Sequence, residues 1–129
     1  MTADAPARSG QGASPPAART IVRLDGALDA PAASALRDRL IGLLHPGTRL
    51  LVLDLSQVPS CDSAGLAVLV GAERRARTLG IVMRLAAPSG PVAKLLRLTG
   101  LDRALTIYPD LPGALAADQR QHSGKELPR

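Results

Sequence analysis

The sequence predicts a single α/β domain with a mostly parallel sheet of four to five strands and about four helices. Short aliphatic, β-prone segments alternate with longer ones whose apolar residues recur every three to four positions. The 129 residues include one Tyr and no Trp or Phe, so Leu, Val, Ile and Ala must form the core. Strands that alternate with helices require right-handed crossovers, which produce a parallel sheet.

The first predicted strand and helix lie in the N-terminal third. Ile21 to Leu24 is a short β-prone segment that ends at Asp25-Gly26. A helix follows, with Pro31 near its first turn, and His45-Pro46-Gly47 ends it. Its apolar residues are spaced i, i+4, i+7 and i+8, as Leu36, Leu40, Leu43 and Leu44.

A buried strand and a second helix are predicted in the middle of the chain. Leu50 to Leu55 is an apolar run interrupted only by Asp54, which is typical of a strand covered on both faces. Asp62-Ser63-Ala64-Gly65 then opens a helix that Gly80 ends. The predicted buried stripe of this helix is Leu66, Leu69, Val70, Ala76 and Leu79.

The C-terminal third completes the alternation. Its short helix carries Val92, Leu95, Leu96 and Leu98 as apolar residues. In order, the predicted elements are a strand over Ile81 to Ala86, a helix that starts at Ser89 and stops at Gly100, a strand over Ala104 to Tyr108, and a weaker helix over Leu111 to Ala117 with Gly113 inside it.

Composition divides the chain into a domain and two tails. Residues 1–18 consist mainly of Ala, Pro, Gly and Ser, which predicts a disordered N-terminal tail. Residues 118–129 are polar without periodicity, which predicts a flexible C-terminal tail. The domain is therefore expected to span residues 19–117.

Charge and hydropathy exclude several classes of partner. The net charge of +5 comes mostly from scattered Arg residues without aromatic platforms, which argues against direct nucleic-acid binding. Arg74, Arg75 and Arg77 fit a solvated helix face. No apolar run is long enough for a membrane span, and no secretory signal opens the sequence. We therefore expect a cytoplasmic protein that makes no membrane contact.

The residues offer no visible catalytic machinery. His45 lies in a turn and His122 in the predicted tail, and no phosphate-cradling loop or metalloprotease motif is present. We expect no enzyme activity, no metal and no cofactor. Cys61 precedes a helix start, which could lower its pKa. The favoured interpretation is a small, half-buried residue at a strand end.

The most informative position is Ser63, where a buried strand gives way to an amphipathic helix. Backbone N–H groups at such a junction lack intrahelical partners, and the helix dipole favours negative charge there. A phosphate on Ser63 would therefore leave the helix folded and change the face offered to a partner. From spacing alone, a purely structural role is the stronger interpretation: Asp62 or Ser63 as N-cap, and Gly65 as a close-packing residue.

Several motifs in order resemble the STAS domains of bacterial anti-sigma factor antagonists. The resemblance covers approximately Thr20 to Leu115. The segment Asp62 to Leu66 looks like the family's phosphorylation loop. The other matching segments are Asp25 to Asp29 after the early strand, Leu51 to Leu55 in the central strand, Arg97 to Asp102 at the late helix end, and Ile107-Tyr108 in the final strand.

This resemblance implies a regulatory binding module with a STAS-type fold. Ser63 would be the phosphorylation site, and Asp29, Asp62, Ser63, Ala64 and Gly65 the partner-binding region. The unphosphorylated protein would bind an anti-sigma factor that is also a serine kinase, and so release its sigma factor. Phosphorylation would end that contact, and a serine phosphatase would restore it. ATP would belong to the kinase.

Three departures from the family pattern bear on this transfer. Ala27 replaces a Glu, Ala64 replaces a second hydroxyl residue, and the region before Ile21 is too rich in Pro and Gly for a regular edge strand. A missing edge strand would leave backbone groups available to another chain.

Other readings and the oligomeric state stay open. One alternative is a STAS scaffold or accessory subunit of a signalling complex or lipid transporter, in which Ser63 is never modified. A nucleotide-binding role ranks lower because no triphosphate-binding loop is present.

Overall fold

Strands and helices alternate along the chain as the periodicity predicts. The structure is a computed structural model that describes residues 18–116. The elements are β1 (Arg19–Asp25), α1 (Ala30–Leu43), β2 (Leu50–Gln57), α2 (Ser63–Thr78), β3 (Val82–Ala86), α3 (Gly90–Leu98), β4 (Ile107–Tyr108) and α4 (Leu111–Ala116), with a 3₁₀ turn at Leu101–Arg103 before β4.

The predicted tails fall almost entirely outside the described residues. The exception is Ala18, whose carbonyl oxygen accepts hydrogen bonds from the backbone N–H groups of Arg49 (2.9 Å) and Leu50 (3.3 Å). The stretch before β1, where a further edge strand would have to lie, is outside the described range. The domain boundaries at residues 19 and 117 therefore stay predictions.

The four strands form one parallel sheet in the order β1-β2-β3-β4. Neighbouring strands in the sheet are consecutive in the chain, so each connecting segment crosses over a sheet face. This arrangement confirms the predicted fold class. All four strands end at one edge of the sheet, which we call the carboxyl edge. The loops that lead into α1, α2 and α3 leave from this edge.

One face of the sheet holds the main aliphatic core. Val22 and Leu24 of β1 point into it, and helices α1, α2 and α3 contribute Leu40, Leu69 and Leu96, each at most 1% exposed. The buried residues of this core are Leu, Val, Ile, Ala and Met, and close packing of their side chains holds the helices on the sheet.

Helix α4 covers part of the opposite face. Ala114 packs there against Leu50, Val52 and Ala86. The same layer contains Arg84, which is 2% exposed and donates from Nη1 to the carbonyl oxygen of Ala114 at 2.7 Å. Its guanidinium carbon lies 5.6 Å from the ring centre of Tyr108. This buried arginine was not predicted from the sequence.

Three apolar residues lie elsewhere than predicted. Leu98 is 74% exposed because it is six residues beyond Val92 and therefore faces away from the buried stripe of α3. Leu79 is 38% exposed because α2 has already ended there. Val70 is only half-buried, and Val68 lies in the core in its place.

The last strand is shorter than expected. The predicted strand over Ala104 to Tyr108 is reduced to Ile107–Tyr108, because Leu101–Arg103 forms a 3₁₀ turn. Leu105 follows this turn and is buried in the core. Within residues 18–116, every helix is too short or too polar to cross a bilayer.

Candidate functional site

The site lies at the carboxyl edge, where three loops are hydrogen-bonded to one another. The backbone N–H of Gly26 donates to the carbonyl oxygen of Gln57 at 3.1 Å. The N–H of Leu28 donates to the carbonyl oxygen of Ser60 at 3.0 Å. From the β3–α3 loop, the Ser89 hydroxyl donates to a carbonyl oxygen of the β2–α2 loop at 2.8 Å. These bonds hold the starts of the first two helices side by side.

Ser63 is the first residue of α2, and its side chain is exposed. The core residues of α2 begin two positions later, with Gly65 and Leu66. A group added to the Ser63 hydroxyl would therefore extend into solvent and leave the core packing intact. The sequence-based expectation of an accessible serine at this junction agrees with the structure.

Asp62 is the N-cap of α2. Its Oδ1 accepts hydrogen bonds from the N–H groups of Ala64 at 2.9 Å and Gly65 at 3.1 Å. Two of the backbone N–H groups that were expected to be free to bind a phosphate are therefore already bonded to Asp62. The bonds from Gly65, Ala30 and Ala64 lower the pKa of Asp62, so this side chain is a carboxylate at neutral pH.

Asp62 also reaches the first helix. Its Oδ2 accepts a hydrogen bond from the N–H of Ala30 at 3.0 Å, across 32 residues of sequence. Asp29 in turn caps α1 by accepting from the N–H of Ala32 at 3.3 Å. This cap was not predicted from the sequence, although an Asp two residues before Pro31 is a signal for a helix start.

Gly65 is required by close backbone packing. A Cβ on this residue would overlap the carbonyl oxygen of Leu28 and lie 2.9 Å from Sγ of Cys61. Leu28 and Cys61 form a parallel bridge that brings the two loops together at this point. Gly65 is buried and Ala64 is half-buried, so within the predicted partner region Ser63 and Asp62 are the more exposed residues.

Cys61 has a raised pKa. Burial, followed by the nearby charge of Asp62, raises the pKa of its thiol to about 11. The possibility that the helix start lowers this pKa is therefore wrong. The expected partial burial of Cys61 is confirmed, but the residue lies in the loop after β2, where it bridges to Leu28, and not at a strand end.

The third loop contributes a strained residue that the sequence analysis did not identify. Ala87 directly follows β3 and has φ of 56°, which is unusual for a residue other than glycine. Its N–H donates to the carbonyl oxygen of Tyr108 at 2.9 Å. Ser89 then provides the bond to the β2–α2 loop described above. Alanine has no sequence signal for a positive φ, so this position could not be predicted.

The charge around Ser63 is negative. Asp62 directly precedes it, and Asp29 adjoins Ala30, whose N–H donates to Asp62, whereas the exposed residues Arg74, Arg75 and Arg77 lie near the other end of α2. Arg74 is eleven residues along the helix, or about 16 Å at helical rise. The structure thus confirms that these arginines form a solvated face, and they are too distant to neutralise an anion on Ser63.

Other candidate residues have structural roles. His45 is exposed, and its Nδ1 accepts a hydrogen bond from the N–H of Gly47 at 3.2 Å, which agrees with its predicted role in a turn. His122 lies outside the described residues. Within residues 18–116, no cluster of three or more His, Cys, Asp or Glu side chains could hold a metal ion.

Sequence comparisons identify relatives of this chain. A model of the STAS domain family matches residues 12–114. A Thermotoga maritima protein named as an anti-sigma factor antagonist is 33% identical over 78 residues, covering 60% of this chain and 69% of the relative. A homologous Thermotoga neapolitana protein is 35% identical over 72 residues, covering 56% of this chain and 64% of the relative, which is slightly under two thirds of its length.

Solved structures show the same architecture. The crystal structure of a Thermotoga maritima anti-sigma factor antagonist superposes with a TM-score of 0.72 and 28% identity, over 77% of this chain and 86% of the other. The STAS domain of a Vibrio cholerae SulP transporter superposes with a TM-score of 0.64 over 88% and 87% of the two chains. At 22% identity, that second likeness concerns the fold alone.

Proposed function

The chain belongs to the STAS domain family and is related to its anti-sigma factor antagonists, and we propose that it binds an anti-sigma factor under the control of phosphorylation at Ser63. The unphosphorylated protein occupies the anti-sigma factor in the cytoplasm and so releases a sigma factor. The anti-sigma factor is itself the serine kinase, and a separate serine phosphatase removes the phosphate.

The observation that carries this proposal is the exposed hydroxyl of Ser63 on a firmly held helix start. Asp62 caps the helix on one side of this residue, and Gly65 packs against the Leu28 carbonyl two positions further on. A kinase can therefore reach the hydroxyl without unfolding the domain. Ala64 replaces the second hydroxyl of the family signature, so Ser63 is the one acceptor within Asp62 to Leu66.

The modification is a transfer of the γ-phosphoryl group of ATP. An O–P bond forms at Ser63 Oγ, and the bond between the γ-phosphorus and its bridging oxygen breaks. ADP leaves, and a base of the kinase takes the hydroxyl proton. This chain supplies only the acceptor, so the catalytic groups and the nucleotide belong to the partner.

The charge at the site explains why the modified protein would release its partner. A phosphate adds roughly −1.5 to −2 charge. That charge would stand beside the carboxylates of Asp29 and Asp62, with two of the nearby amides already bonded to Asp62. A partner docked over Ser63 would meet repulsion and would have to desolvate the dianion.

A second candidate function uses the same fold without the switch. This candidate is a scaffold or accessory subunit in which Ser63 is never phosphorylated; a transporter STAS domain shares the fold, although that likeness concerns the fold alone. The two candidates differ in a single covalent event, so an experiment on Ser63 separates them.

The test combines the purified chain with Mg-ATP and each serine-kinase anti-sigma factor encoded by the source organism. Intact mass should show the gain of one phosphate with the cognate kinase. Ser63→Ala should abolish this gain. The matched control Ser60→Ala changes another exposed serine of the same loop and should preserve it. A failure of every kinase to modify the wild-type chain would favour the scaffold function.

Binding to the same kinase should follow the charge on residue 63. We expect Ser63→Ala to bind as well as the wild type, and Ser63→Asp or the phosphorylated chain to bind at least about tenfold more weakly. Calorimetry without ATP measures this difference. Equal affinities for Ser63→Ala and Ser63→Asp would contradict the charge-controlled release.

A further inference from the structure

The carboxylate of Asp62 joins the starts of two helices. Oδ1 accepts from Ala64 and Gly65 within α2, and Oδ2 accepts from Ala30 at the first residue of α1. The two sets of bonds differ in kind. The Oδ1 bonds are local to the α2 cap, whereas the Oδ2 bond spans 32 residues and fixes the loop that carries Asp29.

The backbone around this carboxylate is held on both sides. The N–H of Asp62 donates to the carbonyl oxygen of Leu28 at 3.1 Å, and its own carbonyl oxygen accepts from the N–H of Leu66 at 2.9 Å. Gly65 fills the remaining space against Leu28. The part of this junction that can change without disrupting packing is therefore the bond between Asp62 and Ala30, since both groups are exposed.

Phosphate on Ser63 would be covalently attached next to this carboxylate. Two anions would then share the few N–H donors at the start of α2, and like charges at this distance repel. Both donors to Oδ1 lie in the first turn of α2, so the helical backbone keeps them close to the carboxylate. The Oδ2 bond to Ala30 has no such support, so it is the one that the added charge weakens most.

We propose that Asp62 is a positioning residue that transmits the charge state of Ser63 to the start of α1. Without phosphate, Asp62 holds Ala30 and with it the orientation of Asp29. With phosphate, the bond from Ala30 weakens and the backbone of Asp29 and Ala30 is released, while Gly26 and Leu28 stay bonded to the β2–α2 loop. The partner would therefore sense phosphorylation at two places, at the phosphate itself and at Asp29. This inference rests on the proposed function for the modification and deepens its regulation.

The experiment uses the purified chain with phosphoserine incorporated at position 63 during translation, so it requires no kinase. Amide hydrogen exchange is measured by NMR for the wild-type sequence with and without the phosphate. We expect exchange at Ala30 to become about tenfold faster when Ser63 is phosphorylated, as for the loss of one ordinary hydrogen bond. Exchange at Leu66, whose bond lies inside α2, should change less than twofold.

Asp62→Asn tests whether the carboxylate carries the effect. Asparagine remains a good N-cap for Ala64 and Gly65, but its NH₂ group cannot accept from Ala30. Exchange at Ala30 should already be fast in this variant, and phosphorylation should add less than twofold. The matched control Asp29→Asn keeps the Asp62 bond, so phosphorylation should still accelerate Ala30 about tenfold.

Ala30→Pro provides a second test that does not alter Asp62. Proline is well tolerated at the first residue of a helix, and Asp29 already has the extended backbone that precedes proline. This variant removes the N–H that Asp62 binds. The Asp29 amide resonance should then lie near its position in the phosphorylated wild type, and phosphorylation should move it little further.

Two results would overturn the inference. One is unchanged exchange at Ala30 when the wild-type chain is phosphorylated. The other is an equal acceleration in wild type and Asp62→Asn, which would mean that the phosphate acts without Asp62. Both are read on the isolated chain, so they are distinct from a failure of the proposed function, which would appear as an absence of kinase modification or of weakened partner binding.

Discussion

Helices α1 and α2 both begin after an aspartate, yet only one of these aspartates reaches the neighbouring helix. Asp29 accepts from Ala32, within its own first turn. Asp62 accepts from Ala64 and Gly65 and also from Ala30. Asp62, next to Ser63, therefore holds the starts of both helices, whereas Asp29 caps only its own. A site that must be accessible and firmly positioned needs this second kind of support.

The largest expected difference in stability between the two helix starts is at the third residue of each helix. This residue is Ala32 in α1 and Gly65 in α2, where a Cβ would overlap the Leu28 carbonyl. We expect Gly65→Ala to lower the free energy of unfolding by about 3 kcal/mol, because backbone and not a flexible side chain would have to move. Urea denaturation measures the loss.

Gly71→Ala is the matched control in the same helix. Its Cβ would meet nothing within 4 Å. We expect it to raise stability by about 0.5 to 1 kcal/mol through helix propensity alone. Similar effects of the two substitutions would contradict the close contact at Gly65.

Removal of each cap compares the two aspartates directly. Asp29→Ala should lower the free energy of unfolding by about 1 kcal/mol, the usual cost of a lost N-cap. Asp62→Ala should lower it further, because Ala30 loses its partner as well. Urea unfolding at neutral pH, with unchanged m-values, measures both losses. Equal losses would mean that the bond to Ala30 adds nothing to stability.

Acid should weaken the α2 start through Asp62. Its pKa in the folded chain is lowered from the ordinary 3.8, so its stabilising contribution is complete above 3.8 and is lost as pH falls through the lowered value. We expect wild type and Asp62→Asn to converge in stability as pH drops below about 4. Urea unfolding across this pH range measures the difference in free energy of unfolding between the two proteins. A difference that stays constant with pH would contradict the role assigned to the Asp62 carboxylate.

The last prediction concerns the reactivity of Cys61 and not the stability of the fold. With the thiol pKa at about 11 instead of 9.0, alkylation at about pH 8 should be roughly a hundredfold slower than in the unfolded chain. Asp62→Asn should accelerate it by removing the adjacent charge. Iodoacetamide labelling followed by intact mass measures both rates. A folded rate equal to the unfolded rate would show that the thiol is not protected.

Much of the site was predictable because its signals are local. The sequence Asp62-Ser63 after a buried strand indicates a capped helix start with an exposed hydroxyl, and the structure has both. The cap at Asp29 was predictable in principle from the nearby Pro31. The positive φ of Ala87 was not, because alanine has no preference for that conformation and only the surrounding contacts impose it.

The burial of apolar residues was predicted less well at the ends of helices and strands than in their middles. The middle of β2 is buried as expected, with Leu51 and Leu53 fully covered. Leu98 and Leu79 are exposed, since periodicity identifies a stripe only where the helix continues and a neighbour covers it. The burial of Arg84 depends on α4 and Tyr108, which lie far from it in sequence.

The order and type of the strands and helices, and the position of Ser63 at a helix start, follow from the sequence alone because hydrophobic period and capping act over a few neighbouring residues. Four features were decided only by tertiary structure: the bond from Ala30 to Asp62, the lack of space at Gly65, the positive φ of Ala87 and the burial of Arg84. Each depends on which distant segments lie side by side, and short-range patterns carry no information about that.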